Sequence, residues 1–278
     1  MADDTFDLVT VASGARSLRS RAHGETFHPV IGPMAEARAL HVTQQQLVER
    51  AAATPDRFVV WDVGLGAAAN AVAVLEAFWN VRGSGAVELH SFDLTLAPLR
   101  FAFDHAEALE YLPPWREAME ALLSRGEATR GCVRWLLHVG DFRAVNIAAA
   151  APHAVLYDPY SPRANPELWT LDHFTALFAR LGPHCLLSNY TRSTGVRVTL
   201  LLAGFFVGRG GATGEKDETT LASNDLALLG APLDRDWLTR VHRSTRSAPL
   251  RTGRAGGPIA PDDWETLLAH PQFAPNTT

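Results

Sequence analysis

Short apolar, β-rich runs alternate with helical runs over residues 57–224. Residues 58–63 (Phe, Val, Val, Trp, Asp, Val) form a compact β-rich run, and small and apolar residues at 67–78 predict a helix after it. Residues 87–93 predict a second strand, 133–139 a third, 154–157 a fourth and 184–190 a fifth. Helical stretches fall between them at 97–110, 114–124 and 171–181. A further helix at 192–203 leads to late strands at 205–208 and 219–223, which read as a closing antiparallel hairpin. Strands alternating with helices of about 10–15 residues imply an α/β fold with a doubly wound, mainly parallel sheet and right-handed crossovers. Residues 1–56 show no clear strand and one helical stretch at 34–52, opened by Gly32-Pro33; proline is favourable at a helix start. Residues 225–278 are rich in Pro, Arg and Gly, with one or two short helices. The expected division is an N-terminal segment and helix (1–56), a Rossmann-like domain (57–224) and an Arg/Pro-rich extension (225–278).

Composition narrows the class. Of 278 residues, 47% are apolar and 20% charged, which excludes a wholly disordered chain. The longest nearly apolar run, 196–207, contains Arg197 and Thr199. It is far shorter than the ~20 residues of a spanning helix, so no membrane partner is expected. The start, Met1-Ala2-Asp3-Asp4, is acidic and leads into no apolar stretch, so no secretory signal is expected. Cys132 and Cys185 form no Cys-x-x-Cys pair, which argues against a disulfide scaffold and a thiolate zinc site. A reduced, cytoplasmic setting follows.

The glycine turn carries the first chemical signal. Asp62-Val63-Gly64-Leu65-Gly66 ends the first strand of the alternating region and opens a helix. In open parallel sheets, ligands bind outside the carboxyl ends of the strands, where this turn lies. Gly-x-Gly alone fits a tight strand–helix turn, a nicotinamide enzyme with Ala69 at the third glycine position, or a methyltransferase. The acid two residues before the first glycine suits the methyltransferase, since it can pair with the amino group of S-adenosylmethionine. Asp93 ends the second strand, where an acid can accept from both ribose hydroxyls. Gly140-Asp141 ends the third, where an acid can accept from the adenine amino group. Asp158 ends the fourth, beside the expected position of the transferred methyl. Four acids at four successive strand ends are hard to explain by packing, because buried unpaired charge is costly. Together with the closing hairpin, they point to the class I S-adenosylmethionine-dependent methyltransferase fold.

The stretch from Tyr157 to Thr170 contains Asp158-Pro159-Tyr160-Ser161-Pro162-Arg163-Ala164-Asn165-Pro166-Glu167-Leu168-Trp169. It resembles the Asp-x-Phe-x-Pro-x-x-Asn-Pro-x-x-Trp signature of the MnmC methyltransferase domain family. Asp62-Val63-Gly64-Leu65-Gly66-Ala67-Ala68-Ala69-Asn70 is similar to its Glu-x-Gly-Phe-Gly-Thr-Gly-x-Asn loop. Residues 208–220, with Lys216-Asp217-Glu218, are similar to its Gly-x-Lys-Arg-Glu hairpin. Thr26-Phe27-His28-Pro29 and Gly32-Pro33-Met34-Ala35-Glu36 also look like family features. The resemblance spans roughly residues 16–223. It implies methylation of the aminomethyl group on a tRNA wobble uridine, with S-adenosyl-L-methionine as cofactor and tRNA as partner. It implies cofactor binding by Asp62, Gly64, Leu65, Gly66, Asn70, Asp93, Leu94, Gly140, Asp141 and Asp158. Asp158 and Tyr160 are the candidate catalytic residues, and Pro162, Arg163 and Asn165 the candidate substrate contacts. Asp62 for glutamate, Ala67-Ala68 for Thr-Gly, Tyr160 for phenylalanine, Ser161 for alanine and Asp217 for arginine depart from the pattern. No counterpart of the family's fused flavin oxidase domain is expected after residue 224.

The net charge of −5 argues mildly against a nucleic-acid surface, but residues 235–254 hold six arginines and one acid. Arg240, Arg243 and Arg246 are the phosphate-binding candidates there. A solvated tail shaped by codon bias fits equally, since Lys216 is the only lysine. A segment packed by Trp237, Leu238 and Leu250 fits as well. His23 and His28 lie in a loop-like stretch and read as exposed or packing residues, and no metal is expected. A methyltransferase acting on a small molecule or another RNA, and a non-catalytic binding module with this fold, remain the alternatives.

Overall fold

The computed structural model describes residues 6–81, 85–213, 217–254 and 256–274. Two compact units form the chain, residues 1–158 with 211–217 and residues 159–210 with 218–278. These units do not coincide with the three segments read from sequence texture.

The first unit opens with a hairpin, β1 (Phe6–Thr10) and β2 (Arg16–Ser20), in antiparallel register from Phe6↔Ser20 to Thr10↔Arg16. It corrects the expectation that no strand precedes the helical stretch. β2 reads Arg-Ser-Leu-Arg-Ser, and two of its three buried positions are serines, so polarity hides its inward face. The single helix expected at 34–52 is also corrected. An α-helix (Pro33–Ala37) runs into a π-helical stretch (Arg38–Thr43), and Gln46 at φ 49° breaks the chain before a second helix (Leu47–Ala52).

Five strands follow: β3 (Arg57–Val63), β4 (Ala86–Asp93), β5 (Glu127–Arg130), β6 (Val133–Val139) and β7 (Ala154–Tyr157). Their order is β5-β6-β4-β3-β7, parallel except for β5, which lies antiparallel on β6. β3, β4, β6 and β7 are the first four strands expected from sequence, while the short β5 had no signal of its own. The helix Ala69–Trp79 follows β3, and Ala97–Asp104, Ala106–Leu109 and Arg116–Arg125 follow β4. Val60, Val72, Leu75, Phe78, Leu89, Leu122 and Leu156 belong to one buried core. Strands covered on both faces read as nearly continuous apolar runs. The strand order reverses at β3, with β4 and β6 on one side and β7 on the other. This reversal makes the crevice at the carboxyl ends of β3 and β7 the natural ligand position.

The second unit holds three antiparallel strands, β8 (Leu186–Asn189), β9 (Phe206–Gly210) and β10 (Thr219–Ser223), in the order β8-β10-β9. β9 and β10 form the expected hairpin. The helix Leu171–Phe178 is capped by the Thr170 hydroxyl and Thr194–Leu202 by that of Ser193. Arg235–Arg243 and Pro261–Leu268 are the two short helices of the C-terminal region. Trp237, Leu238 and Leu250 are buried, so the region is packed rather than a solvated tail.

Candidate active site

β3 ends in a turn that only small residues allow. Gly64 and Gly66 have φ of 92° and 51°, a region open to glycine at little cost. The amides of Gly64 and Leu65 both donate to the Phe92 carbonyl, at 3.0 and 3.1 Å. The Gly66 amide donates to Asp93 Oδ2 at 2.9 Å. A Cβ on Gly66 would stand 3.0 Å from the Phe27 ring. Ala68, where the family pattern has glycine, is itself left-handed at φ 64°.

The acids at the strand ends differ in environment. Val63 is paired with Phe92 on β4 and Tyr157 on β7, so Asp93 and Asp158 each lie one residue beyond a shared level. Asp62 is fully buried. Its Oδ2 accepts from the Ser91 hydroxyl at 2.7 Å, and Ser91 Oγ accepts from Trp135 Nε1 at 2.9 Å. Its Oδ1 is buried without a hydrogen-bond partner. Burial pushes the Asp62 carboxyl up to about 7; Ser91 opposes this, and Asp158 and Asp93 reinforce it. Asp93 also accepts from the Thr95 amide at 3.3 Å. Leu94 beside it is 71% exposed and Ile147 68%, which leaves apolar surface bare near these strand ends. Gly140 has φ 140°, and Asp141 caps the helix Phe142–Val145 and pairs with the Arg143 guanidinium.

Asp158 meets residues from two distant parts of the first unit, Asn70 and His28. Asn70 Nδ2 donates to its Oδ2 at 2.9 Å. Asn70 is buried, and its own Oδ1 has no hydrogen-bond partner. His28 Nε2 lies 3.8 Å from Asp158 Oδ2, and His28 Nδ1 lies 3.9 Å from Glu36 Oε2. Nothing in the local pattern around His28 points to this meeting. The only available signal was that it lies in a stretch similar to the family's, eight residues before Glu36.

In the second unit, the chain after Asp158 is a stiff loop, as its prolines require. Trp169 Nε1 donates to the Tyr160 carbonyl at 2.8 Å, and the Tyr190 hydroxyl donates to the Pro159 carbonyl at 3.2 Å. Trp169 is fully buried, so its role is packing. Asn165 Nδ2 donates to Glu167 at 2.6 Å, Pro162 is partly buried, and Arg163 is exposed. The C-terminal region braces this loop, since Leu171 N donates to the Leu250 carbonyl at 2.9 Å and Gly253 abuts Pro166. Arg240, Arg243 and Arg246 are exposed. Buried Arg197 donates to Glu218 at 2.9 Å, which gives the glutamate of the hairpin motif a structural partner. Gly214, Glu215 and Lys216 of that motif lie outside the described residues.

A profile of S-adenosyl-L-methionine-dependent methyltransferases matches residues 107–225. The tRNA 5-methylaminomethyl-2-thiouridine biosynthesis bifunctional protein MnmC of Ectopseudomonas mendocina is 28% identical over 234 residues, 80% of this chain and 35% of the relative. MnmC of Pseudomonas aeruginosa PAO1 is 27% identical over 278 residues, 92% of this chain and 42% of the relative. The crystal structure of MnmC2 from Aquifex aeolicus matches with a TM-score of 0.72 and 25% identity, over 96% of this chain and 85% of that one. The chain is similar to the methyltransferase domain of MnmC. It spans about two fifths of the length of the curated relatives it matches. Its fold is that of the class I methyltransferases, and the cofactor of the matched family is S-adenosyl-L-methionine.

The first unit brings Asp62, Gly64, Gly66, Asn70, Asp93 and Asp158 to one end of its parallel strands. Among the described residues, no group of three or more His, Cys, Asp or Glu is placed to hold a metal ion. No helix there is long and apolar enough to cross a membrane.

Proposed function

We propose that this domain methylates the 5-aminomethyl nitrogen of the tRNA wobble uridine. The observation that carries this is the Asp158 carboxylate at the topological switch point, followed by the Asn165-Pro166 loop, in a chain that matches MnmC2 over 96% of its length. The residues present suit the cofactor. The partnerless Asp62 Oδ1 is a ready acceptor for an ammonium group, and Gly64 and Gly66 let the backbone approach a ligand closely. In this reading Asp62 holds the amino group, Asp93 the ribose and Asp141 the adenine amine. Leu94 covers the ring, while Gly64, Leu65, Gly66, Asn70 and Gly140 shape the site.

Bound S-adenosyl-L-methionine supplies a methyl group on a positively charged sulfur. Positioning is then the main task of the protein. Asp158 orients the neutral amine and accepts its proton, and Tyr160 supplies an aromatic wall. Pro162, Arg163 and Asn165 contact the nucleotide. Arg240, Arg243 and Arg246 contact phosphate, because a guanidinium donates two parallel hydrogen bonds. A tRNA substrate places the protein in the cytoplasm.

Nucleoside mass spectrometry of tRNA from a deletion strain tests the proposal. Loss of the methylaminomethyl wobble nucleoside, with accumulation of its unmethylated amine, is expected. Purified protein and cofactor should reverse the change. An unaltered nucleoside profile would refute the tRNA assignment.

A further inference from the structure

His28 combines an unusual backbone with an unusual setting. Its φ is 47°, a region that favours glycine, and it precedes Pro29, which restricts it further. Backbone strain of this kind persists where the surroundings impose it, and it clusters at functional sites. The imidazole is 11% exposed and lies between two carboxylates that are themselves 12% and 15% exposed. Glu36 faces Nδ1 and Asp158 faces Nε2. His41, fully buried and held neutral by a pKa lowered to about 3, is the other titratable neighbour. With Nδ1–H directed at Glu36, the Nε2 lone pair faces Asp158.

We propose that His28 is a positioning residue for Asp158 and the onward acceptor of the proton released by the substrate amine. The inference rests on the amine-methylation reading above. As the nitrogen–carbon bond forms, the carbon–sulfur bond breaks and its electron pair stays on sulfur. The nitrogen then carries a positive charge and one surplus proton. Asp158 accepts that proton, and Nε2 of His28 takes it from Asp158, leaving the carboxylate ionised. Glu36 stabilises the resulting imidazolium through Nδ1–H. The separations of 3.8 and 3.9 Å are ion-pair distances, and contacts of this length can tighten in a reacting complex.

His28→Gly tests this, because glycine accepts a φ of 47° more readily than histidine does and the space left by the imidazole can admit a free one. Thermal melting should show a cooperative transition, as a folded variant requires. Single-turnover methyl transfer to undermethylated tRNA should fall about a hundredfold or more, the usual range for proton handling. S-adenosylhomocysteine affinity by calorimetry should stay within about twofold of the parent. Added imidazole should restore most of the lost rate in His28→Gly but none in the His28→Gly/Asp158→Asn double variant. A purely structural residue would show no such rescue. A parental rate in His28→Gly, a loss that imidazole leaves untouched, or an equal loss of cofactor affinity overturns the role of His28 alone. A parent protein that methylates no tRNA overturns the amine reading, and this inference with it.

Discussion

Asp62 is a residue at which burial and function oppose each other. Its carboxyl ionises near 3.8 when the chain is unfolded and near 7 when folded, chiefly because burial penalises the charge. Between these values the folded state keeps a proton that the unfolded state has lost. The stabilisation from this linkage is complete below the unfolded value and is lost as pH rises through about 7. Urea melts of the cofactor-free protein at pH 5 and 8 should therefore show parent stability falling relative to Asp62→Asn by more than about 1 kcal/mol. A constant difference would mean that Asp62 is ionised at both pH values. Ala68 stores strain of another kind, since its φ of 64° costs a residue with a Cβ about 1–2 kcal/mol. Glycine would relieve that cost and give back about 0.4–1 kcal/mol in unfolded-chain entropy. Ala68→Gly should thus stabilise the domain by about 0.5 kcal/mol and raise its melting temperature. A lowered one would show that the buried methyl contributes more through packing than its backbone costs.

At the scale of elements, Asp93 links the end of β4 to the turn that leaves β3. Its Oδ2 accepts from Gly66 N at 2.9 Å, and so it holds the glycine turn in shape as well as offering an acceptor for ribose. Asp93→Ala should weaken S-adenosylhomocysteine binding at least tenfold, about 1.4 kcal/mol in calorimetry. An unchanged dissociation constant would remove Asp93 from the cofactor site. The turn and its strands were legible because they are local. Gly64 and Gly66 interrupt the pattern where an apolar β run becomes a helix of small residues. The helix expected at 34–52 failed at a non-local detail, because its pattern continues through the left-handed Gln46. β5 is four residues long and pairs only with its neighbour β6, so no periodicity marked it.

At the scale of the molecule, an acidic chain must still meet the phosphates of its proposed substrate. The helix Arg235–Arg243 buries Trp237, Leu238 and Val241 and leaves Arg240 and Arg243 exposed. Packing of this region and a role in RNA binding are therefore compatible. Changing Arg240, Arg243 and Arg246 together to Ala should raise the dissociation constant for tRNA about tenfold and flatten its salt dependence. S-adenosylhomocysteine affinity should not move. Filter binding at two salt concentrations separates the outcomes, and equal affinity with equal salt slope would place the phosphate contacts elsewhere.

The sequence by itself determined the alternation of strands and helices, the glycine turn, and the acids at positions 62, 93, 141 and 158. Each is written in neighbouring residues, through a side-chain period or a change from strand to turn. Tertiary structure alone decided which of these acids is buried, and it separated Asp62, sealed beneath Ser91 and Trp135, from Asp141, which caps a short helix on the surface. It also brought His28 and Asn70 to Asp158, across up to 130 positions of chain, and Glu36 to His28. It turned the arginine-rich end into a brace for the Asn165-Pro166 loop. Burial and long-range contact depend on how the elements pack, and a periodic pattern carries no record of which distant residue will fill the space beside it.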